Sequence, residues 1–193
     1  SGQAAETAVI QAIAQSGGHV VASPRLYGGT DTLLRHTLPK YGIETTFVEN
    51  PDDPASWQAA VRPDTKLFYG ESISNPLNDI LDIPAIAEVA HRNQVPLVID
   101  NTVATPYLIR PLELGADVVV SSATKYLGGH GASLGGVLVD GGKFDWRVQR
   151  DGQDVFPSFT TPDPAYHGLV YADLGAPPLA LKARVTLLRD TGA

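Results

Sequence analysis

Helix and strand signals alternate along the whole chain, and this predicts an α/β layer fold with a mostly parallel mixed sheet flanked by helices. Two further observations point the same way. The strand segments are short continuous apolar runs, as strands buried on both faces require. Polar residues with useful chemistry follow several of these runs directly, at the edge where open parallel sheets bind their ligands.

In residues 3–15 the apolar Ala5, Val9, Ala12 and Ile13 share one helical face, with Glu6 and Gln15 elsewhere, and Gly17 and Gly18 close the helix. Residues 19–23 read as a buried strand. Gly28 and Gly29 are expected to make a turn, and residues 30–40 a second helix that ends at Tyr41 and Gly42. Residues 44–48 are rich in β-branched side chains and read as a strand. Asp53 followed by Pro54 marks a capped helix start, and that short helix runs to about Val61. A strand at 66–70 follows. Asp82 then caps a helix whose inner face carries Ile83, Ile86, Ala87 and Ala90. Residues 97–100, 117–121 and 135–139 are three more strands. Residues 141–178 are rich in Gly, Pro and aromatics without a clear period, and residues 179–188 read as the start of another helix.

Hydrophobic residues make up 43% of the 193 and charged residues 18%, enough to bury the core of one soluble domain. A net charge of -7 argues against nucleic acid or an anionic membrane as the main partner. The absence of cysteine excludes disulfides, thiolate catalysis and Cys-ligated metals. No apolar run approaches the roughly 20 residues that span a bilayer. Residues 1–6 have neither the basic nor the apolar region of a signal peptide, so a cytoplasmic location is expected by default. The chain lacks methionine even at position 1, opens directly in a helix-forming stretch and stops without a tail. A piece of a longer protein is the expectation.

Three strand exits carry candidate chemistry. Asp100, Asn101 and Thr102 end one apolar run, and Ser121, Ser122, Ala123, Thr124 and Lys125 follow another. Ser74, Asn75 and Pro76 follow a third. Each has an ordinary explanation: a strand-end Asp is commonly a cap, Asn-Pro a turn starter, and most lysines are simply solvated. Their convergence on one sheet edge changes the reading. A buried lysine forms a Schiff base with an aldehyde. An aspartate holds a pyridine nitrogen protonated, so that the ring withdraws electrons. Hydroxyls and a helix N-terminus bind a phosphate dianion. The helix opening at Ser1, Gly2 and Gln3 offers free N–H groups, and Tyr27 can stack on a flat ring. These are the requirements of pyridoxal 5'-phosphate.

Five motifs then carry a resemblance: residues 1–6 (SGQAAE), 26–30 (LYGGT), 71–76 (ESISNP), 98–102 (VIDNT) and 121–126 (SSATKY). In that order they resemble the Cys/Met-metabolism family of pyridoxal-phosphate enzymes, and they cover nearly the whole chain. The resemblance implies the large cofactor domain of the aspartate-aminotransferase-like fold (fold type I). It implies Lys125 as Schiff-base lysine and proton shuttle, Asp100 as partner of the pyridinium nitrogen and Tyr27 as ring-stacking and catalytic residue. Gly2, Gln3, Ser122 and Thr124 are implied at the phosphate, Asn75 at the phenolic oxygen and Thr102 at the ring face. Within the family, residues 37–44, 71–76, 125–131 and 140–146 are most similar to O-acetylhomoserine sulfhydrylases, which make homocysteine and acetate from O-acetylhomoserine and sulfide in methionine biosynthesis.

The same resemblance implies a large domain over 1–178, incomplete on its N-terminal side, and a helix at 179–193 leading to a C-terminal domain outside this chain. It implies a small amino-acid substrate and a homo-oligomeric parent, a dimer of dimers. A cystathionine γ-synthase or a lyase of the same family is the alternative. A reading of a different class is a non-catalytic α/β module with a structural Lys125. Two other motifs are set aside. Residues 131–135 match Gly-x-Ser-x-Gly, but a loop precedes the serine and a strand follows it, the reverse of a nucleophile elbow. The five histidines lack metal-ligand spacing, so no metal is expected.

Overall fold

Six of the apolar runs become strands of one sheet: β1 (His19–Ala22), β2 (Glu44–Phe47), β3 (Thr65–Glu71), β4 (Leu97–Asp100), β5 (Val118–Ser122) and β6 (Gly136–Asp140). The computed structural model describes residues 1–192. The strands lie in the order β2-β1-β3-β4-β5-β6. The first five run parallel, and β6 pairs antiparallel with β5, which makes the sheet mixed. The chain direction across the sheet reverses between β1 and β3, so the carboxyl ends of these two neighbours flank a crevice.

The main helices start where the sequence supplies caps. Ser1 Oγ accepts from Ala4 N–H at the start of α1 (Gly2–Ile13). Asp53 and Asp82 do the same for α3 (Pro54–Ala59) and α4 (Ile83–Arg92). Between β1 and β2 the expected turn at Gly28 and Gly29 is instead the first turn of α2 (Gly28–Thr32), which continues as a π segment, Leu33–Thr37, and a 3-10 turn, Leu38–Tyr41. Close packing explains the second glycine. A Cβ on Gly29 would come within 2.7 Å of the Tyr27 ring and 2.9 Å of the Gln3 amide. After β4 comes α5 (Thr105–Leu108).

Strand alternation sorts the core into two layers. Val20, Ala22, Leu67, Tyr69, Val98, Val118 and Val120 face α1 and the segment after β6, whereas Val21, Phe68, Leu97 and Ile99 face α3 and α4. The irregular 141–178 stretch holds a small hairpin, β7 (Gln149–Arg150) and β8 (Gln153–Asp154), and α6 (Pro157–Thr160). Its order comes from an aromatic cluster: Trp146 stacks on Phe159 at 4.2 Å and meets Phe156 edge-on at 5.2 Å. The last helical stretch begins with α7 (Pro178–Lys182), capped from β6 by Asp140 and packed against α1. It continues through Ala183–Leu188 to Arg189–Thr191.

The start of α1 is wedged against the sheet by missing side chains. A Cβ on Gly2 would lie 2.6 Å from Ser122 Cβ, and one on Gly136 would overlap the Ser1 carbonyl. Gly136→Ala is therefore expected to lower stability by about 1–3 kcal/mol in urea denaturation, as overpacking does. Gly28→Ala is the control. Its Cβ meets nothing within 4 Å, and the change is expected to be neutral or slightly stabilising.

Candidate cofactor site at the carboxyl edge of the sheet

Alternation that places Tyr69, Val98 and Val120 on the α1 side places Glu71, Asp100 and Ser122 there too, each as the last residue of its strand. The register pairs Glu71 with Asp100 and Ser122 with Gly136. A cavity of 830 Å³ opens at this edge. All nine residues singled out in the sequence line it: Gly2, Gln3, Tyr27, Asn75, Asp100, Thr102, Ser122, Thr124 and Lys125. They come from four strand exits and the first turn of α1, as the reading of the carboxyl edge anticipates.

The local bonding assigns these residues different degrees of freedom. Asp100 Oδ1 accepts from both the N–H and the hydroxyl of Thr102, at 2.8 and 2.5 Å. Thr102 Oγ1 in turn accepts from Ser122 N–H at 2.8 Å. Its hydroxyl is thus committed to orienting Asp100. Thr124 Oγ1 donates to the Gly135 carbonyl and accepts from the Gly135 N–H, which ties the lysine-bearing turn to the start of β6. By contrast, among the described residues the N–H groups of Gly2 and Gln3, the Ser122 hydroxyl, the Asn75 amide and Lys125 Nζ have no hydrogen-bond partner. Two free N–H groups at the N-terminus of a twelve-residue helix, beside a free hydroxyl, make an anion cradle.

Sequence reasoning missed a layer of acids beneath these residues. Glu6 was expected off the apolar face of α1, yet it is only 1% exposed. Its carboxylate is saturated, accepting from Gln3 Nε2 at 2.5 Å, Thr30 Oγ1 at 2.9 Å and Tyr69 OH at 2.9 Å. The signal was present: residues 6, 9 and 13 recur at helical spacing on one face. Glu71 is buried as well, accepting from Tyr27 N–H at 2.5 Å and Asn75 N–H at 3.1 Å. Burial pushes Glu6 and Glu71 up to about 7, and the neighbouring Asp100 adds to both shifts. Burial raises Asp100 too, against the opposing bonds from Thr102. The floor of the cavity therefore favours a cationic group placed against it.

The sequence profile of the family described as Cys/Met metabolism PLP-dependent enzymes matches residues 1–168. The chain belongs to that family. The O-acetyl-L-homoserine sulfhydrylase of Corynebacterium glutamicum is 67% identical over 193 residues, which is 100% of this chain and 44% of that protein. A homocysteine synthase of Schizosaccharomyces pombe is 45% identical over 194 residues, again 100% of this chain and 44% of its own length. A crystal structure from Campylobacter jejuni, of a protein assigned as O-acetylhomoserine (thiol)-lyase, superposes with a TM-score of 0.92 at 39% identity, covering 100% of this chain and 47% of that one. It carries a pyridoxyl-lysine monophosphate residue. The chain thus spans less than half the length of these relatives, and the cofactor of its family is pyridoxal phosphate.

The buried acid on α1 has a measurable signature. Because folding raises Glu6 from about 4.5 to about 7, the folded state holds its proton more tightly than the unfolded chain. The associated stability is complete below the ordinary carboxylate value and is lost as pH rises through about 7. Glu6→Gln is expected to remove that loss, at most about 3 kcal/mol. Urea midpoints at pH 5 and pH 8 should differ less for the variant than for the parent.

Proposed function

We propose that this chain is the cofactor-binding part of a pyridoxal-phosphate enzyme that makes L-homocysteine and acetate from O-acetyl-L-homoserine and sulfide. The observation that carries the proposal is the convergence of Lys125, Asp100 and the free N-terminus of α1 on one cavity. Support for the substrate class comes from the names of the relatives, since most of their length lies outside the matched region.

In this reading Gly2 and Gln3 donate their N–H groups to the phosphate, with the Ser122 hydroxyl beside them. Thr124 contributes by bracing the Lys125 turn against Gly135. Bound there, pyridoxal phosphate supplies an aldehyde for an amine and a ring that spreads the charge of substrate carbanions. Asp100, held by Thr102, keeps a proton on the ring nitrogen. The cation it faces lowers its own carboxyl toward the ionised form, opposing the effect of burial. Lys125 anchors the aldehyde and then, as a free amine, carries protons between the α- and β-carbons of the substrate. Tyr27, half-exposed at the mouth, stacks on the ring and assists departure of the acetate. Asn75 donates its free amide to the phenolic oxygen.

The proposal extends to organisation. Residues 1–178 form the large domain, and the helical stretch from 179 leads toward a second domain of the longer protein. Tyr126 and Leu134 at the cavity, with Leu77 beside it, are strongly exposed, which supports a homo-oligomer that covers this rim. A cytoplasmic location is part of the same proposal; among the described residues no helix is long and apolar enough to cross a membrane.

The test uses a full-length protein that contains these 193 residues. Incubated with pyridoxal phosphate it should turn yellow, and borohydride followed by peptide mass mapping should place a phosphopyridoxyl group on Lys125. Lys125→Ala should abolish the adduct and lower turnover of O-acetylhomoserine with sulfide by on the order of a thousandfold. A colourless full-length protein, or an adduct only at another lysine, would end the proposal.

A further inference from the structure

We infer that Glu71 is a positioning residue whose carboxylate, bonded to the Tyr27 N–H on one side and the Asn75 N–H on the other, sets the separation of the two loops that present Tyr27 and Asn75 to the site. Its functional consequence rests on the pyridoxal-phosphate reading above.

The need for such a clamp follows from the topology. The loops after β1 and β3 leave the sheet at its switch point, where ladder bonding ends. The last backbone tie between them is Ser23 N–H to the Tyr69 carbonyl at 3.0 Å. Beyond that bond Arg25 pairs with Asp79 across the two loops at 3.4 Å, and each loop is otherwise organised within itself. Tyr27 is the N-cap residue of α2, and its carbonyl accepts from Asp31 N–H, but its side chain makes no capping bond. In the other loop Asn78 and Asp79 N–H groups bond to Ser74. The N–H groups of Tyr27 and Asn75 are left, and both reach Glu71.

Glu71 is suited to the task by place and by chemistry. It is the last residue of β3, on the same face as Tyr69, so the sheet fixes its backbone. Each oxygen takes one donor: Oε1 from Tyr27 and Oε2 from Asn75. A glutamine of the same shape offers one acceptor oxygen, and its NH2 would face the second N–H donor. The ionised carboxylate is therefore the form that accepts both donors, although burial and the neighbouring Asp100 favour its protonation. Glu6 secures the far end of the same turn through Thr30 Oγ1, and Gly29 lets the Gln3 amide and the Tyr27 ring approach closely. With these contacts in place, the Tyr27 turn takes its position from β3 through Glu71 and from α1 through Glu6.

The experiment is Glu71→Gln in the full-length protein carrying this chain, with pyridoxal phosphate itself as the probe. Expected are an unchanged far-ultraviolet spectrum, affinity for the cofactor weakened at least about tenfold, as loss of one hydrogen bond to a charged group predicts, and a diminished visible circular dichroism band. That band reports the asymmetric environment of the bound ring, which a residue serving only the fold would leave intact. Wild-type affinity together with a wild-type band would overturn the inference. Should the variant not fold, amide hydrogen exchange of the unaltered protein decides. Tyr27 and Asn75 are expected to exchange on the order of a hundredfold more slowly than open loop amides, and exchange at the open-loop rate would sink the clamp. If the unaltered protein binds no pyridoxal phosphate, the functional reading fails, and the exchange measurement still judges the clamp separately.

Discussion

Glu71 and Asp100 are register partners on adjacent parallel strands, and both point to the α1 side at the carboxyl edge. Holding two acids side by side away from water is unfavourable, and a third, Glu6, lies near enough to raise the affinity of Glu71 for protons. The surrounding structure is arranged to make this tolerable. Each of these three carboxylates receives donors: Thr102 serves Asp100, the backbones of two loops serve Glu71, and Gln3, Thr30 and Tyr69 serve Glu6. Those donors belong to the same segments that line the cavity. Satisfying the acids and shaping the site are one structural problem with one solution.

Much of the architecture was legible in the sequence, because short apolar runs between capped helices admit few arrangements. The strands at Leu67, Leu97 and Val118 lie where the runs indicate, and the caps at Asp53 and Asp82 both form. The residues at strand exits were also readable, since Asp100 and Lys125 are conspicuous after apolar segments. The supporting layer was harder to read. Glu6 looks like an ordinary solvated helix residue until Thr30 and Tyr69, 24 and 63 positions away, are brought to it. Glu71 likewise shows its role only through a contact 44 residues distant. Long-range satisfaction of a polar group leaves little trace in local composition.

The glycines show a related limit. Gly28 and Gly29 suggest a turn by propensity, yet both are helical, and what Gly29 provides is room for Gln3 and Tyr27. Residues 141–178 give no periodic signal because aromatic side chains, and only short pieces of ladder or helix, organise them.

The seating of α1 has a thermodynamic consequence. Its first turn is pressed between Ser122 of β5 and Gly136 of β6, the antiparallel strand that ends the sheet. The same turn holds the free N–H groups of the anion cradle. An anion bound there would grip a helix whose displacement would open the sheet at its β6 side, so occupancy and resistance to unfolding rise together by mass action. The cradle is then also a fastener, and the concentration of its ligand sets how firmly that side of the domain stays closed.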